Sequence, residues 1–198
     1  MEPTRILSAE HRVIETVIAC LERIVEETRK NGKLDKIAAE QAIDFIRNFA
    51  DGCHHAKEED RLFPAMEAKG MPRQGGPIGV MLIEHEYGRA FVRGMVEHLE
   101  KSTTGDSQAI TEFSRHALGY AELLKQHIHK EDHILFPMAD RFMSPDDEQV
   151  LMAQFNEAEA HIGEGTHERL LGIAESLAKR YGVSTEHIDH MKHHSGRH

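Results

Sequence analysis

The chain of 198 residues carries 24 Lys+Arg against 34 Asp+Glu, a formal charge of −10 with its 16 histidines counted as neutral. At 39% apolar and 29% charged it reads as one domain, or one with an appendage, able to bury a core beneath a heavily solvated exterior. No run approaches the roughly 18 consecutive apolar residues of a membrane span, and an acidic surface with interspersed basic residues excludes nucleic acid and anionic membrane as expected partners.

The N-terminus, Met1-Glu2-Pro3-Thr4-Arg5, is charged and lacks the apolar centre of a secretory signal, which predicts a cytoplasmic protein. Ile6, Leu7, Val13, Ile14, Val17, Ile18, Leu21, Ile24 and Val25 recur at steps of three and four, the face of a first helix that stops at Asn31-Gly32. A second pattern runs from about Leu34 to Met66, with Pro64 expected to end or kink it and Gly70 placed as its cap. Lys69 to Pro77, rich in glycine and proline, is the principal connector. Pro77 suits the first turn of a third helix ending near Ser102. Asp106 or Ser107 caps a fourth, whose apolar set runs from Ile110 to Phe136, with Pro137 mirroring Pro64. Ser144-Pro145-Asp146-Asp147 starts a fifth helix, and Gly163-Glu164-Gly165 interrupts it before the amphipathic stretch Leu170 to Tyr181. Ser184 caps one last short turn, and Met191 to His198 reads as a disordered tail.

No segment alternates with period two, so the expected fold is all-α. It is an antiparallel up-down four-helix bundle over residues 1–142, with a C-terminal helical extension packed on it over 143–183 and a short turn and flexible His-rich tail over 184–198. Cys20 and Cys53 are too few for a disulfide scaffold and read as reduced, half-buried residues.

Chemistry concentrates in a duplicated phrase. His54 and Glu58 precede Leu62-Phe63-Pro64, and His127 and Glu131 precede Leu135-Phe136-Pro137 in the same register; Glu10-His11 is echoed by Glu84-His85. Each helical hairpin therefore offers one lone histidine and one His-x-x-x-Glu pair, whose members are neighbours on one helix face. His55, Glu59 and His129 lie beside these residues, but the repeat selects His54, because the equivalent of His55 is Ile128. Lys57 and Lys130 are expected to reach water, and the histidines at 187, 190, 193, 194 and 198 to form a solvated end. Imidazole nitrogen with carboxylate oxygen suits iron or manganese, with zinc also fitting, and four histidines with two glutamates make a dinuclear centre the natural solution. Glu10, Glu84, Glu59 and Asp132 are candidates to hold the outer histidine nitrogens, and Ile14, Phe49, Phe91 and Tyr120 to line a dry pocket.

Over residues 5–142 these phrases resemble the hemerythrin-like family of His- and carboxylate-bearing four-helix bundles. The resemblance implies a metal set of His11, His54, Glu58, His85, His127 and Glu131 holding two non-haem irons. Glu58 and Glu131 would bridge them beside an oxo or hydroxo group, with His11 and His54 on one iron and His85 and His127 on the other. In the oxygen carriers of that family the third helix supplies a second histidine one turn after the first; here that position is Arg89, which leaves a place for water, Glu84, Glu86, or the Glu164, His167, Glu168 cluster. The implied function is to bind or react with oxygen, nitric oxide or hydrogen peroxide in sensing, detoxification or iron–sulfur repair, with a redox or iron–sulfur protein as partner. The alternative is an iron-responsive regulatory or interaction module, stabilised by metal and without turnover.

Overall fold

A computed structural model describes residues 2–162 and 165–195, and every regular element among them is helical. Helix α1 (Glu2–Asn31) buries the stripe read from the sequence and ends at Gly32, which takes φ +67° and donates its N–H to Thr28 O at 2.9 Å. Helix α2 spans residues 36–68 and is capped by the Asp35 carboxylate, which accepts the Ala38 N–H at 3.1 Å. Helix α3 (Pro77–Thr103) begins on its proline, and α4 spans residues 107–142 with Asp106 accepting the Ala109 N–H at 2.8 Å. These four pack as a ring, α1 against α2, α2 against α3, α3 against α4 and α4 back on α1, the expected antiparallel bundle.

Neither Pro64 nor Pro137 ends its helix. Proline gives no N–H to the carbonyl four residues back, and in both halves a widened turn precedes it. The Phe63 N–H reaches back five residues to Glu58 O, and the Phe136 N–H likewise to Glu131 O. Such i→i+5 turns recur at functional sites, and here each opens on the glutamate of the repeated phrase. A longer π-helical stretch, Ile46–His55, precedes the first of them.

Helix α5 (Pro145–Ile162) opens with a reciprocal cap, in which the Asp147 carboxylate accepts the Ser144 N–H at 2.8 Å and the Asp147 N–H donates to Ser144 Oγ at 3.3 Å. Of the expected break, Gly163 and Glu164 lie outside the described residues, and Gly165 leads into α6 (Thr166–Tyr181) from φ +81°. Where the sequence predicts a turn and a flexible tail, residues Glu186–Ser195 form α7 and bury Ile188 in the core. An isolated short segment would not hold a helix, but docking one apolar residue on the bundle changes that balance. Residues 196–198, with His198, and the side chains of His193 and His194 lie outside the description. Cys20 and Cys53 are buried rather than half-buried. No described helix is long and apolar enough to cross a membrane.

Among the described residues the core forms two apolar bodies. One gathers Val13 to Val25 of α1 with Phe45, Phe49, Phe113 and Tyr120, and includes Leu170, Leu171 and Leu177 of α6. The other gathers Leu7, Phe63, Met66, Met81, Leu135 and Phe136 with Leu151 and Phe155 of α5. His11, residues 54–58, His85 and residues 127–131 fall between them along every helix of the ring, so a polar layer is clamped between two apolar ones. Because α6 contributes to the first body, Leu177→Ala is expected to cost about 2–5 kcal/mol, read as a lower urea midpoint at unchanged slope. A loss well below 1 kcal/mol would show that α6 is only loosely attached.

Candidate metal centre

The six side chains singled out by the repeat are all buried in this layer. Glu58 turns one oxygen to each half of the bundle, Oε1 lying 3.6 Å from His54 Nε2 and Oε2 3.5 Å from His85 Nε2. Glu131 does the same, with Oε2 3.1 Å from His11 Nε2 and Oε1 3.2 Å from His127 Nε2. The donor atoms form two groups, each within 4.8 Å: His11, His54, Glu58 and Glu131 in one, and His55, Glu58, His85 and His127 in the other.

The outward Nδ1 atoms are all held by carboxylates. His11 pairs with Asp132 at 2.9 Å, His54 with Glu10 at 2.9 Å, His85 with Glu59 at 2.7 Å and His127 with Glu84 at 2.9 Å. An Nδ1–H donated outward leaves the Nε2 lone pair facing the layer, the tautomer a metal ligand requires. Cations hold the carboxylates in turn. Lys57 bonds Glu10 and Lys130 bonds Glu84, while Arg12 bonds Asp132 and Arg89 bonds Glu59, so the two halves repeat each other's outer contacts.

Electrostatically the two glutamates are driven in opposite directions. Burial, with Glu131 beside it, pushes Glu58 well above the usual carboxylate range. Burial also acts on Glu131, but His127 and His11 overcome it and hold that carboxyl well below the range. Burial and the neighbouring His11 bring His54 down to about 4, whereas burial of His127 is outweighed by Glu131 and that imidazole rises to about 9. Nε2 of His11, His54 and His55 and the carboxylate oxygens of Glu58 and Glu131 are buried with no hydrogen bond of good geometry. Orphaned donors of this kind, nitrogen and oxygen without sulfur, fit a divalent first-row metal.

His55, set aside in favour of His54, belongs to the second group. Its ring stacks on that of His85 at 3.8 Å and its Nδ1 lies 3.4 Å from Asp51, whose carboxylate is bound by Arg89 at 2.9 Å and held down at about 2. Neighbouring residues of a helix diverge by roughly 100°, which lets His54 and His55 face adjacent donor groups. The double histidine was the available signal. The other candidates for the vacant place do not reach it: Glu84 is engaged by His127 and Lys130, Glu86 is exposed on Arg89, His167 packs its ring 5.4 Å from Phe49, and Glu168 is exposed. Glu164 lies outside the described residues. His129 is exposed, its ring tilted 31° against that of His133 at 4.2 Å.

Lys57 does not reach water. Its side chain is 1% exposed and its ammonium bonds both Glu10 and, at 2.7 Å, Glu159 of α5, whereas the side chain of Lys130 is 32% exposed. A cavity of about 460 Å³ between α2, α3 and α4 reaches His55 and His85, with apolar walls from Ile46, Val92, Val96 and Tyr120 and with Arg47, Arg89 and Arg93 among its lining. Of the expected pocket residues Tyr120 lines it; Ile14 and Phe49 are packed in the core, and Phe91 lies over Gly119.

Residues 2–139 match the family model of the hemerythrin HHE cation binding domain. The iron-sulfur cluster repair protein YtfE of Salmonella schwarzengrund is 38% identical over 90 residues, covering 43% of this chain and 40% of that protein. Its counterpart from Salmonella typhimurium matches with the same identity and coverage. The chain thus spans about two fifths of the length of these curated relatives. No solved structure matches it significantly.

Removing one partner of a buried ion pair strands the other charge. Lys57→Met is therefore expected to cost about 3–5 kcal/mol in chemical denaturation, and Lys130→Met, on a partly exposed pair, no more than about 1 kcal/mol. Equal costs would contradict the burial-based distinction between the two halves.

Proposed function

This chain belongs to the hemerythrin HHE cation-binding family, and from that premise we propose that it is a non-haem diiron protein. Its centre binds or reacts with a small diatomic or peroxide ligand, oxygen, nitric oxide or hydrogen peroxide, in sensing, detoxification or the repair of iron–sulfur clusters. The observation that carries the reading is the pair of buried glutamates, each offering one oxygen to a histidine from either half of the bundle. A carboxylate so placed could serve a metal in either half. In this assignment His11 and His54 would hold one iron and His85 and His127 the other, with Glu58 and Glu131 available to both.

His55 joins the second set, giving it three imidazoles against two. With His55 included, Arg89 no longer leaves the donor set one short of the oxygen carriers, so donor count alone does not disfavour reversible binding. Arg89 instead orients His55 through Asp51. Bound there, a pair of irons supplies the electrons and the exchangeable coordination position that such small ligands need. The chain's own part is to fix the imidazoles through Glu10, Glu59, Glu84 and Asp132 and to keep bulk water out with the two apolar layers. The cavity offers an apolar way in to His55 and His85. The naming of the relatives as iron–sulfur cluster repair proteins favours that setting among the physiological ones, with an iron–sulfur protein as the matching partner. Residues 1–142 would carry the centre and 143–183 support it.

One contact favours the second reading, an iron-responsive module. Glu159 of α5 is tied through Lys57 and Glu10 to His54, so metal occupancy would be felt by the extension. The two readings part on reactivity. Anaerobically reconstituted protein is expected to hold two irons per chain and to develop new charge-transfer bands on exposure to air or nitric oxide, with Glu58→Gln holding at most one iron and lacking those bands. Two irons without any spectral response would favour the module, and wild-type protein holding less than one iron would overturn the diiron proposal.

A further inference from the structure

Helices α3 and α4 carry a second cluster of nitrogen and oxygen donors that the centre does not use. His98 of α3 faces Glu112 and His116 of α4, one turn apart, and one donor atom from each lies within 4.8 Å of the others. All three are half-buried. Along α3, His98 is thirteen residues beyond His85, about 20 Å at the helical rise, so the cluster is separate from the buried layer.

The slot that holds His116 is built by glycine. A Cβ added at Gly94 would come within 2.3 Å of the His116 ring, so no other residue leaves room for the imidazole where it sits. Lodged there, the ring lies nearly parallel to that of His98, at 16° and 6.0 Å, with its Nδ1 buried and without a hydrogen bond. Its Nε2 lies 2.8 Å from Nη2 of Arg115, which also reaches Glu112 Oε2 at 2.8 Å. A guanidinium nitrogen between an imidazole nitrogen and a carboxylate oxygen marks a place where both lone pairs converge on positive charge. Arg115 is 58% exposed, and it holds Glu112 Oε2 through Nε at 2.9 Å as well as through Nη2.

From this geometry we propose a peripheral site for a divalent transition cation of the zinc class, with His98, Glu112 and His116 as ligands, water as the fourth, and Arg115 displaced on binding. Two imidazoles and a carboxylate without thiolate are a zinc-type donor set. Bonds of about 2.0–2.2 Å place tetrahedral donors roughly 3.4 Å apart, so the side chains need to close by little more than an ångström, within the reach of small χ rotations. The ion would cross-link α3 to α4 near the end of the bundle remote from the buried centre. The inference does not depend on what that centre holds.

The test is calorimetric titration of the iron-loaded full chain with zinc ion, iron content being measured in the same samples. Wild type is expected to bind one equivalent more than a His98→Ala, His116→Ala double variant, with iron content unchanged. Histidines of the C-terminal helix contribute equally to both and cancel in the difference. Glu112→Gln should weaken the extra site at least tenfold and Arg115→Ala should strengthen it. Glu112→Gln also guards against misfolding of the double variant, since it changes one half-buried carboxylate to an isosteric amide. Superposable isotherms for wild type and the two ligand variants would overturn the proposal.

Discussion

Glu58 and Glu131 are both fully buried, and each approaches histidines of both halves of the bundle. Their oxygens lie within 4.8 Å of one another, where two full negative charges repel by about 3–4 kcal/mol even at an effective dielectric near 20, before any cost of leaving water. Glu58 alone is driven towards its neutral form while Glu131 is kept charged by two imidazoles. Protonation of Glu58 relieves that repulsion, the surrounding structure keeps the two carboxyls together, and a bound cation would let both be charged. The two apolar bodies above and below the layer supply that constraint, and metal binding would then add to the stability of the bundle.

Around the layer the duplicated sequence becomes duplicated physics. Each inward histidine is fixed by a carboxylate and each carboxylate by a cation, and the four chains of contact correspond in pairs across the bundle. The copies then diverge. One cation, Lys57, is sealed beneath α5 and bridges two glutamates, while its counterpart Lys130 stays partly in solvent. His55 faces the centre where the other half has Ile128, which lies in the apolar core. The cavity opens on the side of His55 and His85. A symmetric scaffold therefore presents two unequal donor groups, and the cavity reaches the one that includes His55.

Much of this was legible in the sequence. Helix ends were marked by Asp35, Asp106, Pro77 and the Ser144 cap, because capping is local chemistry, and the apolar stripe of α1 gave its buried face directly. The repeat pointed to six side chains that meet in the buried layer, and nearness in sequence pointed to the four carboxylates that hold their outer nitrogens. What escaped depended on departures from ideal periodicity or on packing by distant residues. Widened turns carry both helices through proline, which propensity alone reads as an end. His55 was discarded because the repeat was assumed to be strict. Lys57 is buried by α5, a hundred residues away in sequence, and no local pattern signals a lysine with two acidic partners. The last helix, likewise, is held by the docking of Ile188 on the core rather than by its own composition.

Whether Glu58 and Glu131 span two metals is tested most directly by anomalous scattering above and below the iron edge from crystals of iron-reconstituted protein. The expected result is two iron peaks about 3.5–4 Å apart, both within bonding distance of Glu58 and Glu131, one of them ligated by His11 and His54 and the other by His55, His85 and His127. A single peak, or iron found only outside the buried layer, would contradict it.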